Sequence, residues 1–339
     1  MTGPLRALAV LGVLALPLAA QTHSRSPLVP GQNAELRLDA GPPGGAAWFV
    51  FGFGGLGPGV CLPPASSPCL GVLTPLAIAP PVPVDAAGAV RLPLPIPAGL
   101  PLVPLATQAL TLAPAASAFA ATNAVGGAFE TIAAFSDEFD GAALAPEWRI
   151  LHPQAFDWRL DGGDLVMTVT QGGPALTWFA DGEGPFVYRQ VTGDFDVQAE
   201  VRTYRETAPS LPPPLSFNLG GLCVRDPVAP PGDHDWVHLT VGAGTGARPI
   251  AVEDKNTIDS SSDLLLHPVS DTHVELRMTR RGSFVQCYWR PPGALSWNML
   301  RGFDRGDLPA TVQVGLNVMF WPTGTPDIEQ RVSWIRFAE

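Results

Sequence analysis

Four polar residues at even spacing come nearer to an acid–base site than any other part of this sequence. Asp194, Asp196, Gln198 and Glu200 alternate with apolar residues, so a β-strand would place all four side chains on one face. Glycoside hydrolysis needs two carboxyl groups about 5–5.5 Å apart for retention, or about 6.5–9.5 Å apart for inversion. Asp196 and Glu200 would lie about 13 Å apart, at a rise of about 3.3 Å per residue. The pattern therefore predicts a solvated polar strand face in preference to a catalytic pair.

The sequence also lacks the motifs of other catalytic classes. The serines cluster in DSSSD (259–263), which resembles a turn, and no G-x-S-x-G elbow is present. The glycines of GAGTGA (242–247) lie between predicted strands and predict a hairpin turn, not a phosphate-binding loop. The histidines lack the spacing of zinc ligands. Those of the second part of the chain are His152, His234, His238, His267 and His273.

Aromatic residues concentrate in the second part of the chain and suggest a sugar-binding surface. Among them are Trp148, Trp158, Trp178, Tyr188, Trp236, Tyr288, Trp289, Trp297 and Trp321. A lectin would offer an open groove with exposed ring faces beside polar side chains. Aromatic residues of the core would instead be buried, and two in three of these aromatics are expected there. By strand alternation, Trp236 shares a face with His238 and Thr240, and Tyr288 shares one with Gln286 and Arg290. The candidate ligand-binding residues are Arg225, Trp236, His238, Glu253, Lys255 and Tyr288, on a predicted concave polar surface that also includes Asp254.

Alternation of apolar and polar residues predicts β-strands through the last two hundred residues. It is clearest at 193–204, at 311–320 and at 272–289, where a hairpin turns near Arg281 and Gly282. Further strands are predicted at 164–170, 219–226, 235–242, 248–254 and the end of the chain. About a dozen half-apolar strands predict two sheets packed face to face.

Residues 21–131 differ in composition, being rich in Pro and Gly and poor in ionisable side chains. Their short apolar stretches predict a small β-sandwich, and prolines at 93, 95 and 97 suit an edge strand. The order of a GPPG turn, a cysteine-containing Pro loop, DAAG, LPIP, QA and TNA resembles small β-sandwich modules of secreted planctomycete-type bacterial proteins. That resemblance implies a structural or spacing role.

Residues 132–339 resemble the concanavalin A-like lectin and glucanase superfamily. The resemblance is carried by DEFDG (137–141) before Pro146-Glu147-Trp148, and then by GDFDVQAEV, GGLCVRD, DHDWVHL, LSWNML and VQVGLNV in that order. The branch it resembles is related to the C-terminal module of family-43 β-xylosidases, which implies a β jelly roll with one concave sheet. Because relatives hold a structural calcium near this start, Asp137 and Asp140, with Glu138 beside them, are candidate calcium ligands. A plain acidic turn is the alternative.

Composition and the first residues bear on location and partners. The formal net charge of −11 argues against nucleic acid and anionic membranes, which select basic surfaces. Residues 1–20 are expected to be a secretory signal, with Arg6 before an apolar stretch and Leu18-Ala19-Ala20 as the cleavage site. An oxidising compartment favours a local disulfide between Cys61 and Cys69, whereas Cys223 and Cys287 could form a bridge or remain buried free thiols. No later segment resembles a membrane span.

These observations predict an all-β protein of two β-sandwich domains, at 21–131 and 132–339, the second a concanavalin A-like jelly roll. The expected function is secreted, non-catalytic carbohydrate binding through the concave face of the second domain. A glycoside hydrolase with an unrecognised site and a purely structural extracellular protein are the alternatives.

Overall fold

The computed structural model describes residues 21–61, 68–100, 103–116, 118–169, 184–229, 233–246, 248–320 and 325–338. The predicted export signal, residues 1–20, lies outside them, as do Trp178 and Trp321. The chain divides into two compact units. The first comprises the residues up to Arg25, Glu35–Leu92 and Val103–Ala128, and the second comprises Ser26–Ala34, Pro93–Leu102 and Phe129–Glu339.

The N-terminal part of the chain is built from eight short strands. They are β1 (Thr22–Arg25), β2 (Asn33–Asp39), β3 (Ala46–Gly52), β4 (Leu76–Ile78), β5 (Val82–Pro83), β6 (Val90–Pro95), β7 (Pro104–Leu112) and β8 (Ala120–Ala128). One sheet has the order β1-β2-β6, and the other has the order β4-β3-β7-β8 with β5 beside β3. Strand β6 lies at a sheet edge, as its alternate prolines predict, because proline cannot donate a ladder hydrogen bond. The predicted disulfide joins Cys61 to Cys69.

The second unit begins with a 3₁₀ helix, Ile132–Phe135, and continues with fourteen strands. They are β9 (Arg149–Leu151), β10 (Phe156–Asp161), β11 (Asp164–Val169), β12 (Phe186–Thr192), β13 (Phe195–Tyr204), β14 (Asn218–Arg225), β15 (Trp236–Thr245), β16 (Arg248–Ile258), β17 (Ser261–Pro268), β18 (His273–Arg281), β19 (Phe284–Arg290), β20 (Asn298–Asp304), β21 (Thr311–Met319) and β22 (Glu329–Ala338). Two seven-stranded antiparallel sheets result. Sheet A has the order β10-β11-β22-β13-β18-β19-β20, and sheet B has the order β17-β16-β15-β14-β21-β12-β9.

Period-two patterning decides which side chains fill the space between sheets A and B. In β13, Phe195, Val197, Ala199 and Val201 are fully buried in the main core, as the sequence predicts. Sheet B contributes the corresponding residues of β15, among them Leu239. The all-β, two-sandwich architecture predicted from the sequence is therefore confirmed. No helix among the described residues is long and apolar enough to cross a membrane.

One detail refines the sequence interpretation, and another decides between two alternatives that it left open. The segment DSSSD holds a tight turn only at Asp259 and Ser260, which have positive φ angles, and β17 starts immediately after it. The free-thiol alternative holds for Cys223 and Cys287, which are both buried and unbridged. Cys287 packs in the core between the sheets, whereas Cys223 belongs to a separate apolar cluster of sheet B.

Candidate functional site

The face of sheet B that points away from the main core carries the candidate residues of β14, β15 and β16. Val237, Leu239 and Val241 of β15 enter the core, so Trp236, His238 and Thr240 point to the opposite side. The sequence predicts this shared face correctly. We call this side of the sheet the outer face of sheet B.

Antiparallel register arranges the outer face of sheet B in three rows that run across the strands. The first row is Thr257, Trp236, Arg225, Gln313 and Gln190. The second is Lys255, His238, Cys223, Gly315 and Tyr188. The third is Glu253, Thr240, Gly221, Asn317 and Phe186. Five of the six predicted ligand-binding residues therefore lie together in neighbouring positions.

The outer face of sheet B is buried, which corrects the expectation of an open groove with exposed rings. Trp236 is only 1% exposed and packs in an apolar cluster with Phe186, Leu219, Cys223 and Met319. The Trp236 ring stacks on the imidazole of His238 with centroids 5.8 Å apart. Packing between aromatic neighbours, not solvent, thus covers the indole.

The third row contains buried polar atoms that receive no hydrogen bond from the described residues. Both carboxyl oxygens of Glu253, the hydroxyl of Thr240 and the amide oxygen and nitrogen of Asn317 are buried without a hydrogen-bond partner among the described residues. Leaving a buried polar group unpaired costs about 1–3 kcal/mol, so native proteins generally satisfy such groups with protein, water or ligand. The third row therefore brings together three buried residues that can each form further hydrogen bonds.

Burial also sets the protonation of the outer face of sheet B. It raises the pKa of Glu253 to about 7, with the Lys255 charge opposing and the Asp254 charge adding to the effect. Burial, helped by the Lys255 charge, holds the pKa of His238 well below its usual value. Burial raises the pKa values of Cys223 and Tyr188. At neutral pH the imidazole, thiol and phenol are therefore uncharged, and the Cys223 thiol is no activated nucleophile.

Two cations occupy positions next to Trp236 in the strand register, Arg225 on β14 and, one row away, Lys255 on β16. The Arg225 guanidinium donates to Gln313 Oε1 at 2.8 Å, and the residue is only 9% exposed. The Lys255 ammonium lies 5.9 Å from the centroid of the Trp236 ring, within range of a cation–π interaction, and is also buried. Both charges act to lower the pKa of the Cys223 thiol, against the larger effect of its burial.

Tyr288 and Asp254 do not belong to the outer face of sheet B. Tyr288 lies on β19 of sheet A, where the Arg277 guanidinium is 5.0 Å from its ring centroid. Tyr288 lies in sheet A because its strand, β19, pairs with β18 and β20. Asp254 follows Glu253 and points to the opposite side, where it accepts hydrogen bonds from Arg301 Nε and from His267, 2.6 Å away.

The side chains from Asp194 to Glu200 form a polar face of sheet A, as predicted. The carboxylates of Asp196 and Glu200 already have hydrogen-bond and ion-pair partners within the protein. Asp196 forms an ion pair with Arg277, its Oδ1 lying 3.0 Å from Arg277 Nε. Glu200 accepts from Trp334 Nε1 at 2.9 Å and lies 2.8 Å from the His273 ring. These contacts describe a structural charge network with no converging acid pair.

The predicted calcium ligands have protein donors around them. Asp137 accepts hydrogen bonds from the Phe139 amide at 2.9 Å and from Trp148 Nε1 at 2.7 Å, and Glu138 forms an ion pair with Arg336. Within the part of the chain that the structure describes, no group of three or more His, Cys, Asp or Glu residues could hold a metal ion. Calcium binding at Asp137 and Asp140 stays a prediction.

Sequence reasoning missed the contributions of β12 and β21 to the face. The missing residues are Phe186, Tyr188, Gln313 and Asn317. The alternation of Val312, Val314 and Leu316 identifies the core side of β21 and, by exclusion, the polar residues between them. The sequence gives no signal that β21 pairs with β14.

No protein-family model matches the chain, and no curated protein matches it either. Among solved structures, a functionally unknown protein from Saccharomyces cerevisiae is 12% identical with a TM-score of 0.45, over 57% of this chain and 96% of that one. The xylan β-1,4-xylosidase from Bacillus halodurans is 16% identical with a TM-score of 0.48, over 70% of this chain and 51% of that one. The Griffonia simplicifolia lectin I-B4 is 13% identical with a TM-score of 0.39, over 60% and 98%. The matched region is about half the length of the xylosidase, and these similarities carry no argument about function.

Proposed function

We propose that this protein is a secreted, non-catalytic carbohydrate-binding protein that holds a sugar at the outer face of sheet B. The observation that carries the proposal is the third row, where Glu253, Thr240 and Asn317 keep buried polar atoms to which the described part of the chain gives no hydrogen-bond partner. A sugar hydroxyl both donates and accepts hydrogen bonds, so it suits a carboxyl, a hydroxyl and a carboxamide standing side by side. A purely structural protein would gain nothing from leaving these groups unsatisfied.

Apolar and polar groups are distributed on this face as a pyranose requires. Phe186 and Trp236 supply the aromatic part of this face, and their rings are buried against Tyr188 and His238. Glycines at 221 and 315 put no side chain into the second and third rows. The amide of Asn317 can donate and accept at once, which would fix the orientation of a ring hydroxyl.

Glycoside hydrolysis is the alternative function. The number of carboxylic acids on the outer face of sheet B argues against it. A two-carboxylate mechanism needs a second acid within about 9.5 Å. Glu253 is the only carboxylic acid among the residues of the three rows. The Glu253 pKa of about 7 would suit a general acid, so hydrolysis is assayed directly.

Binding is tested with the full chain on a glycan array, followed by titration calorimetry with the retained glycans. Glu253→Gln, Thr240→Val and Asn317→Leu should each weaken binding about tenfold or more, because each removes a buried hydrogen bond to the ligand. Tyr288→Phe, on sheet A, is the matched control and should bind as the unchanged protein does. Retention of no glycan by the folded protein would refute the proposal.

The hydrolase alternative is tested on the same preparation by measuring reducing-sugar release from the retained glycans. The proposal predicts no release above the buffer control. Release that Glu253→Gln abolishes, while binding persists, would establish the enzyme instead.

A further inference from the structure

An open cleft of about 580 Å³ lies at one end of the sandwich of the second unit. It forms where the ends of β11, β13 and β22 meet the loop that follows β13 and the loop that precedes β18. Ligand sites in proteins are typically clefts of about 300–1,000 Å³, so this cleft has room for a small molecule or for part of a polymer. Its lining residues are different from those of the three rows on sheet B.

Hydrogen bonds within the protein hold the two loops of the cleft in place. The loop after β13 is fixed by the Asp327 carboxylate, which accepts from the Thr207 amide at 3.0 Å and from the Thr207 hydroxyl at 2.9 Å. In the loop before β18, Asp271 Oδ1 accepts from the His273 amide at 3.1 Å. A cleft whose walls are already ordered loses little conformational entropy when a ligand binds.

The two arginines of the cleft wall are paired with carboxylates of the protein itself. Arg202 forms an ion pair with Asp164 at 2.8 Å, and Arg331 forms one with Asp161 at 2.8 Å. An anionic ligand would have to compete with these carboxylates, and the exposed Asp271 carboxylate would repel it. A cationic ligand would be repelled by the two guanidinium groups. The cleft therefore favours a ligand without charge.

The other lining residues divide into hydroxyl groups and apolar surface. Ser210 and Ser270 contribute hydroxyls, and each hydroxyl can donate one hydrogen bond and accept two. The apolar part of the lining comes from Pro209, Leu211 and Ile250. A sugar ring has the same division, with hydroxyl groups around its edge and C–H groups on its face. Its hydroxyls need no counter-charge, which agrees with the internal pairing of the arginines.

We infer that this cleft is a second carbohydrate site, open to solvent, that takes a neutral sugar. The inference rests on the proposed function and adds a site separate from the outer face of sheet B. The Asp271 carboxylate and the hydroxyls of Ser210 and Ser270 bind the sugar hydroxyls, and Pro209 and Leu211 pack against its C–H face. Two sites on one unit strengthen the binding of a polysaccharide long enough to reach both.

Titration calorimetry of the full chain with a short neutral oligosaccharide counts the sites. The unchanged protein should bind two oligosaccharides, whereas Ser270→Trp, which fills the cleft with an indole, should bind one. Ser296→Trp makes the same change at an exposed serine of another loop, so it is the matched control and should bind two. Circular dichroism and thermal unfolding confirm that each variant is folded.

A conservative variant tests the cleft without filling it. Asp271→Asn keeps an oxygen that can accept from the His273 amide, so the loop should keep its conformation. Binding at the cleft should weaken roughly 5- to 10-fold, because hydrogen bonds to a charged acceptor are stronger than those to a neutral one. Unchanged affinity at both sites in this variant would contradict the role of Asp271.

The Glu253→Gln protein reports on the cleft with the other site weakened, and it is used to test the ligand class. On an array of neutral, uronic-acid and amino-sugar oligosaccharides of matched length, this variant should retain the neutral set in preference to the two charged sets. Preference for the uronic acids or for the amino sugars would overturn the assignment of a neutral ligand.

The number of sites in each variant separates this inference from the proposed function. A single site that Glu253→Gln weakens and folded Ser270→Trp keeps would overturn the second site and leave the proposed function intact. A single site that Ser270→Trp removes and Glu253→Gln leaves unchanged would support the cleft and overturn binding at the outer face of sheet B. Retention of no glycan would overturn both.

Discussion

The buried carboxyl of Glu253 should make the stability of this protein fall as pH rises, and Glu253→Gln should remove that effect. In the folded chain the pKa of this group is about 7, against an ordinary value of 4.5 in the unfolded chain. Between these values the unfolded chain releases a proton that the folded chain keeps. The free energy of unfolding therefore decreases from pH 4.5 upward and levels off above pH 7.

The size of the effect follows from the two pKa values. Each tenfold change in proton affinity corresponds to about 1.4 kcal/mol, so the difference between 4.5 and about 7 amounts to about 3 kcal/mol. Glutamine has nearly the same shape and no ionisable group. The difference in unfolding free energy between the unchanged protein and Glu253→Gln should thus fall by about 3 kcal/mol between about pH 4.5 and about pH 8.

Urea unfolding followed by tryptophan fluorescence measures this difference at several pH values. Eight of the nine tryptophans follow residue 128, so the signal reports mainly on the second unit. Subtracting the variant from the unchanged protein cancels the titration of other groups, including His238. Glu138→Gln is the control, since Arg336 holds the pKa of the exposed Glu138 carboxyl below its usual value. A difference that stays flat across this pH range for Glu253→Gln would refute the reasoning.

Two further predictions concern packing and thiols. Gly315→Ala should lower the stability by about 1–3 kcal/mol in thermal unfolding, because its Cβ would lie far inside van der Waals contact with the Val187 carbonyl oxygen. Gly246→Ala, where nothing lies within 4 Å, should have little effect, and equal effects of the two changes would contradict the packing argument. Under native, non-reducing conditions a thiol reagent should label no cysteine, and after unfolding it should label two, Cys223 and Cys287. Labelling of either thiol in the folded protein would contradict its buried position in the structure.

The sheet-forming pattern and the sides of individual strands could be predicted from sequence, because both are local. A β-strand alternates its side chains regardless of its neighbours, so the grouping of Trp236 with His238 and Thr240 needed no tertiary information. The disulfide between Cys61 and Cys69 was also accessible, since only seven residues separate the two cysteines. The polar character of the row from Asp194 to Glu200 followed from the same alternation.

Strand partners and burial could not be predicted in this way. Tyr288 has the same local pattern as Trp236, and only the pairing of β19 with β18 and β20 places it in the other sheet. The neighbour that completes the third row, Asn317, comes from a strand 90 or so residues farther along the chain than β14, and no periodicity encodes that pairing. The ring of Trp236 is buried because residues from three other strands meet around it.

The sequence alone therefore determined that this is a sandwich of alternating strands and which side chains share a strand face, because side-chain direction in a strand depends only on the parity of position. Tertiary structure decided which faces meet, and with that the burial of Glu253 and of the Trp236 ring. Those properties arise from non-local pairing and exclusion of water, which a linear pattern does not contain.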